Sequence, residues 1–235
     1  MTAVRAVVTD IEGTTTPLAF VHEVLFPYAR ARLADFVAAN ADDEEVAAAL
    51  GDARELGGIA GAGDAETLQL LLAWMDEDRK AGPLKLLQGL IWRHGYEEGV
   101  LKGEIYADAA AALRLWHGRG LRLFVYSSGS EAAQRLIFGH SDQGDLGPCF
   151  EGYFDTRIGA KVDSASYAAI AQSAGLPTRE VLFLSDHEGE IKAAREAGMQ
   201  AVTIDRTLQE EAWMEGPKAG SFSAVERALA PGKSA

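Results

Sequence analysis

Ala3-Val-Arg-Ala-Val-Val-Thr9, followed at once by Asp10-Ile-Glu12-Gly-Thr14, is the stretch on which the fold turns. A short β-branched run, apolar at successive positions and closed by an acid and a glycine, fits a strand buried on both faces. Three later runs share its character: Leu121–Tyr126, Val181–Leu184 and Ala201–Ile204. A helical stretch precedes each, Ala107–His117, Ser164–Ala174 and Glu188–Ala197 in turn. Strands alternating with helices imply right-handed crossovers and a parallel sheet. The expectation is therefore a doubly wound α/β fold of the Rossmann kind.

Between the first strand and the second, the rhythm changes. Phe26–Ala39, Asp43–Leu50, Glu66–Lys80 and Leu84–His94 show helical periodicity, and no strand pattern separates them. Gly57–Gly63 reads as a flexible joint. Residues 1–17 and 106–235 are thus expected to form the α/β core, and residues 18–105 an inserted all-helical cap. The tail from Ala230 is expected to fray.

Open α/β sheets bind ligands beyond the carboxyl ends of their strands. There the first strand presents Asp10 and Glu12, the second Ser127 and Ser128, and the third Asp186, with Glu190 four residues on. Lys161 lies in the connection leading to the third strand. These residue types suit phosphoryl transfer. A carboxylate such as Asp10 can attack phosphorus and form an acyl phosphate. Glu12 can exchange protons with the leaving oxygen and the hydrolytic water. Asp10 and Asp186 offer the hard oxygens that Mg²⁺ prefers. Ser128, or its neighbour Ser127, can donate to a phosphate oxygen, and Lys161 supplies positive charge. Singly, each has an ordinary use: the acids and serines as caps, Lys161 and Glu190 as solvated surface groups. It is their ordered recurrence at successive strand ends that signals a site.

Composition narrows the partners. The chain has 235 residues, 48% of them hydrophobic, and a formal charge of −13 from 35 acids against 22 bases. That balance gives no electrostatic footprint for nucleic acid or an anionic membrane. It leaves room for a small anionic substrate in a local pocket. Cys149, the single cysteine, excludes an internal disulfide and a cysteine-based zinc site, and is expected to be a buried thiol. No segment reaches about 18 uninterrupted apolar residues, and the N-terminus lacks a signal-peptide pattern. A cytoplasmic monomer is expected.

The ordered acids, hydroxyls and lysine resemble the haloacid dehalogenase-like phosphohydrolases, which open on D-x-D-G-T. Here the motif is D-I-E-G-T, with Glu12 in place of the second aspartate. D-I-E-G-T-T-T-P at Asp10–Pro17 and F-V-H-E-V-L-F-P-Y-A at Phe20–Ala29 are similar to the enolase-phosphatase (acireductone synthase) family of methionine salvage. So are L-K-L-L-Q-G-L-I-W at Leu84–Trp92, Leu101-Lys102-Gly103 and Y-S-S-G-S at Tyr126–Ser130. The resemblance implies enolisation and then dephosphorylation of 2,3-diketo-5-methylthiopentyl-1-phosphate. It implies one Mg²⁺ per subunit surrounded by Asp10, Glu12 and Asp186, with Ser127, Ser128 and Lys161 on the substrate. Glu12 is also the candidate base for enolisation. A helical cap would shelter reactive intermediates and choose the substrate. Three alternatives stay open: a generic small-metabolite phosphatase, a carbon–halogen hydrolase, and a catalytically silent binding protein on the same fold.

Overall fold

In the computed structural model, which describes residues 3–209, 213–214 and 216–229, Ala6–Thr9 forms strand β1 and is buried at every position. The tail from Ala230 lies outside the described residues. Six further strands follow: β2 Arg122–Tyr126, β3 Gly152–Phe154, β4 Val181–Ser185, β5 Gln200–Ile204, β6 Trp213–Met214 and β7 Lys218–Ala219. They make one sheet in the order β3-β2-β1-β4-β5-β7-β6. Helices α1 Phe26–Ala39, α2 Glu44–Gly57, α3 Asp64–Asp76 and α4 Gly82–Glu97 precede β2, as does α5 Ala107–Gly118. The rest are α6 Glu131–Gly139, α7 Ser164–Ser173, α8 Glu188–Glu196 and α9 Phe222–Leu229.

Two compact units result, Met1–Leu18 with Lys102–Ala235, and Ala19–Leu101. In the first, alternate strand residues face opposite sides of the sheet. Ala6, Val8, Phe124, Tyr126 and Phe183 share a core with Tyr167 and Ile170 of α7 and Ile191 of α8. The residues between them, Val7, Val125 and Leu182, are equally buried on the other face. There α5 packs on β2 and α9 on α5, with the Trp116 and Phe222 rings stacked at 5.7 Å. Helices on both faces make the sheet doubly wound. Because β1 lies between β2 and β4, the winding reverses beside it, which opens a crevice at the carboxyl ends of β1 and β4.

Two features depart from the expected pattern. The sheet is parallel from β3 through to β7, but β6 runs antiparallel to β7 at the far edge. Strand β3 has only three residues, too few for a periodic signal, and is held by its ladder to Phe124–Tyr126. Cys149, just before it, is buried.

The second unit is helical throughout. A π-helical turn at Phe20–Leu25 leads straight into α1, and the Trp92 indole donates to the Leu25 carbonyl at 2.8 Å. Tyr96 is buried in this unit's core. A Cβ at Gly95 would stand 2.5 Å from the Tyr28 hydroxyl, so only glycine permits this approach of α4 to α1. Helix α2 outruns its expected end at Leu50 and stops at Gly57, where Gly58 takes a left-handed φ of 71°. Helix α3 ends short of Lys80, because Asp78 adopts φ 50° and breaks the helical run.

Candidate active site

The turn after β1 is built for close approach. Asp10 keeps its amide in the ladder, donating to the Leu184 carbonyl at 2.9 Å, and its side chain is buried. Thr15 and Thr16 both return their amides to the Ile11 carbonyl at 2.9 Å, closing a tight loop. Gly13 sits in that loop at φ 68°, and a Cβ on it would fall 2.1 Å from Asp186 Oδ2. Both the backbone conformation and the neighbour therefore demand glycine. The Asp186 amide donates to Thr14 Oγ1 at 3.0 Å, which ties the end of β4 to the same turn.

Lys161 gathers the charges. Its ammonium donates to Asp10 Oδ1 at 2.6 Å and lies 2.9 Å from Glu190 Oε2, with only 13% of its side chain exposed. Ser185 Oγ donates to the same Glu190 oxygen at 2.9 Å. The strand-to-helix connection carrying Lys161 is pinned on two sides. The Tyr167 hydroxyl donates to the Lys161 carbonyl at 2.6 Å, and the Tyr126 hydroxyl to the Gly159 carbonyl at 3.0 Å. Burial pushes the Glu190 carboxyl above its usual range, the Asp10 charge pushes it further, and Lys161 opposes both. Asp186 is raised likewise, first by burial and then by Asp10. Burial alone would lower the Lys161 ammonium, but the two carboxylates outweigh it and leave it raised.

The serines follow β2, a strand paired with β1. Ser127 is buried, its hydroxyl accepting from the Gly129 amide at 3.3 Å, whereas Ser128 is exposed. Gln134 holds their loop by donating to the carbonyls of Gly129 and Phe154 at 2.8 and 2.9 Å. Glu12 is half-buried within the β1 turn. His187 caps α8, its Nδ1 accepting from the Glu190 amide at 3.3 Å.

Of the residues expected from sequence, Asp10 and Lys161 are thus in direct contact, and Asp186 is bonded to the Asp10–Thr14 turn through its amide. Glu190 is the residue whose part sequence reasoning missed. A glutamate in a first helical turn looks solvated, but this one is buried and bonded to both Lys161 and Ser185.

Among the described residues, no three His, Cys, Asp or Glu side chains gather into a metal-holding group. The donors nonetheless fit Mg²⁺, which keeps several waters and needs only one or two carboxylates. Asp10 and Asp186 both offer carboxylate oxygens, and the Asp186 carboxyl is raised first by burial and then by the Asp10 charge.

A family model for haloacid dehalogenase-like hydrolases matches residues 4–198. Enolase-phosphatase E1 of Methylococcus capsulatus is 51% identical over 226 residues, covering 96% of this chain and 99% of its own. The Pseudomonas aeruginosa protein of the same name is 55% identical over 203 residues, 86% of this chain and 90% of its own. The chain belongs to the enolase-phosphatases of the haloacid dehalogenase-like hydrolases. Among solved structures, the UTR4 protein of Saccharomyces cerevisiae superimposes with a TM-score of 0.75 at 35% identity, over 86% of this chain and 90% of that one. Membership of the enolase-phosphatases makes this chain a phosphatase, a class that acts on small phosphorylated molecules and is typically Mg²⁺-dependent. Among the described residues, no helix is long and apolar enough to cross a membrane.

Proposed function

We propose that the chain is an acireductone synthase of methionine salvage, which enolises 2,3-diketo-5-methylthiopentyl-1-phosphate and then removes its phosphate. The observation that carries this is identity of 51–55% to enolase-phosphatases E1 across 86–96% of the chain. The Asp10–Lys161–Glu190 cluster at the winding reversal supports it.

Asp10 and Asp186 would hold one Mg²⁺, with Glu12 on the same turn completing its surroundings. When bound, the cation withdraws electron density from substrate oxygens and so acidifies the neighbouring carbon–hydrogen bond. Glu12 takes the C1 proton and the diketone becomes its enol. Lys161 keeps Asp10 Oδ1 oriented and offsets charge on the phosphoryl group, while Ser127 and Ser128 donate to its oxygens. Asp10 attacks phosphorus, the ester P–O bond breaks, and Glu12 returns a proton to the leaving oxygen. Water then opens the aspartyl phosphate, releasing inorganic phosphate and restoring the carboxylate. Glu190 takes no covalent part; with Ser185 it holds Lys161 in place. The helical unit Ala19–Leu101 is assigned the choice of substrate. The reaction is placed in the cytoplasm, in a monomer.

A substrate panel tests this. Turnover on the diketo phosphate should far exceed that on sugar phosphates or phosphoglycolate. High turnover on those, with none on the diketo phosphate, would establish the generic small-metabolite phosphatase instead.

A further inference from the structure

Arg206, just beyond β5, reaches back to the turn after β1. Its Nε and Nη2 both donate to the Thr14 carbonyl, at 3.1 and 2.6 Å. Its Nη1 donates to both oxygens of Asp108, at 3.0 and 2.8 Å. Asp108 is fixed in turn by the Phe222 amide at 2.7 Å, and the guanidinium lies 4.0 Å from the centre of the Tyr106 ring. Both charged side chains are largely buried, 16% and 13% exposed.

A buried ion pair is a poor stabiliser, since apolar residues of similar volume often serve as well or better. What the guanidinium offers is geometry: a planar fork that grips a carbonyl with one edge and a carboxylate with the other, which lysine cannot copy. The carbonyl it grips belongs to Thr14, whose hydroxyl accepts from the Asp186 amide. Thr14 is thereby held at both ends, its carbonyl by Arg206 and its hydroxyl by the Asp186 amide.

We infer that Arg206 is a positioning residue, which fixes the Asp10–Thr14 turn and, through Thr14, the placement of Asp186. It touches no reacting atom. The inference rests on Asp10 and Asp186 being the pair that takes up Mg²⁺.

The test compares wild type, Arg206→Ala and Arg206→Lys by calorimetric Mg²⁺ titration, with hydrogen–deuterium exchange on the metal-free proteins. In both variants the Mg²⁺ half-saturation should rise, in the alanine variant by about tenfold to a hundredfold, as when an outer partner of a metal ligand is lost. Exchange should quicken in the peptide covering residues 10–16 and at Asp186 while α7 keeps its protection. A kcat loss larger than the change in KM should accompany this. If Arg206→Ala fails to fold, Arg206→Lys carries the same comparison. Wild-type Mg²⁺ affinity and unchanged exchange over residues 10–16 in a folded variant would overturn the inference. Wild-type protein that binds no Mg²⁺ would instead overturn the metal assignment, and the exchange comparison would still judge the clamp.

Discussion

Replacing Lys161 by alanine leaves Asp10 and Glu190 buried without the counter-charge they share. At contacts of 2.6 and 2.9 Å, each pair carries about 6 kcal/mol of gross attraction at an effective dielectric of about 20. Much of that offsets the cost of burying three charges. Removing one partner of a buried pair costs about 3–5 kcal/mol net, a large share of an ordinary domain's stability. The loss should depend on pH in a definite direction. Burial and the Asp10 charge already hold the folded Glu190 carboxyl above the usual glutamate range, so the folded state binds that proton more tightly than the unfolded state. Stability from this group falls as pH rises through that interval. Without Lys161 the carboxyl rises further, so the deficit should be greatest at about pH 8 and shrink towards about pH 5, as Glu190 takes up a proton. Titration of Lys161 itself stays outside this window. Its pKa is raised above 10.5, so its contribution is complete below that value and lost only above it. Urea denaturation of wild type and Lys161→Ala at both pH values, with chelator present, reads the effect directly. A loss below about 1 kcal/mol at about pH 8, the worth of an exposed pair, would refute the reasoning. So would an equal loss at the two pH values.

Gly13→Ala should cost about 1–3 kcal/mol for the left-handed backbone alone, and should weaken Mg²⁺ binding because Asp186 Oδ2 must vacate the new Cβ's place. Denaturation and Mg²⁺ titration check the two effects, and wild-type values in both would remove the close-approach explanation. Glu12→Gln should abolish solvent-deuterium exchange at C1 of the diketo phosphate together with phosphate release. Exchange that continues while release stops would mean another group takes the C1 proton.

The four parallel strands β1, β2, β4 and β5 were legible because each is mostly apolar, as parallel strands buried on both faces must be, whereas their order in the sheet was not. Strand β3 and the antiparallel β6–β7 edge were not, since two or three residues carry no period and are held by their neighbours. Asp10 and Lys161 could be proposed from position along the chain, but not their contact, which spans 151 residues. Glu190 was visible only as an acid at regular spacing; its burial depends on how α8 packs against α7 and β4. Arg206 gave no signal at all. A lone arginine after a strand is usually solvated, and its partners Thr14 and Asp108 lie 192 and 98 residues away.

Enolisation and dephosphorylation at one Mg²⁺-dependent site are tested most directly by following both on the diketo phosphate in a single reaction, enol by ultraviolet absorbance and phosphate by release. With Mg²⁺ both signals should appear, the enol no later than the phosphate. With chelator both should stop, and both should return when Mg²⁺ is restored in excess. Phosphate release that persists in chelator, or an enol signal that forms at full rate without the metal, would contradict the shared site.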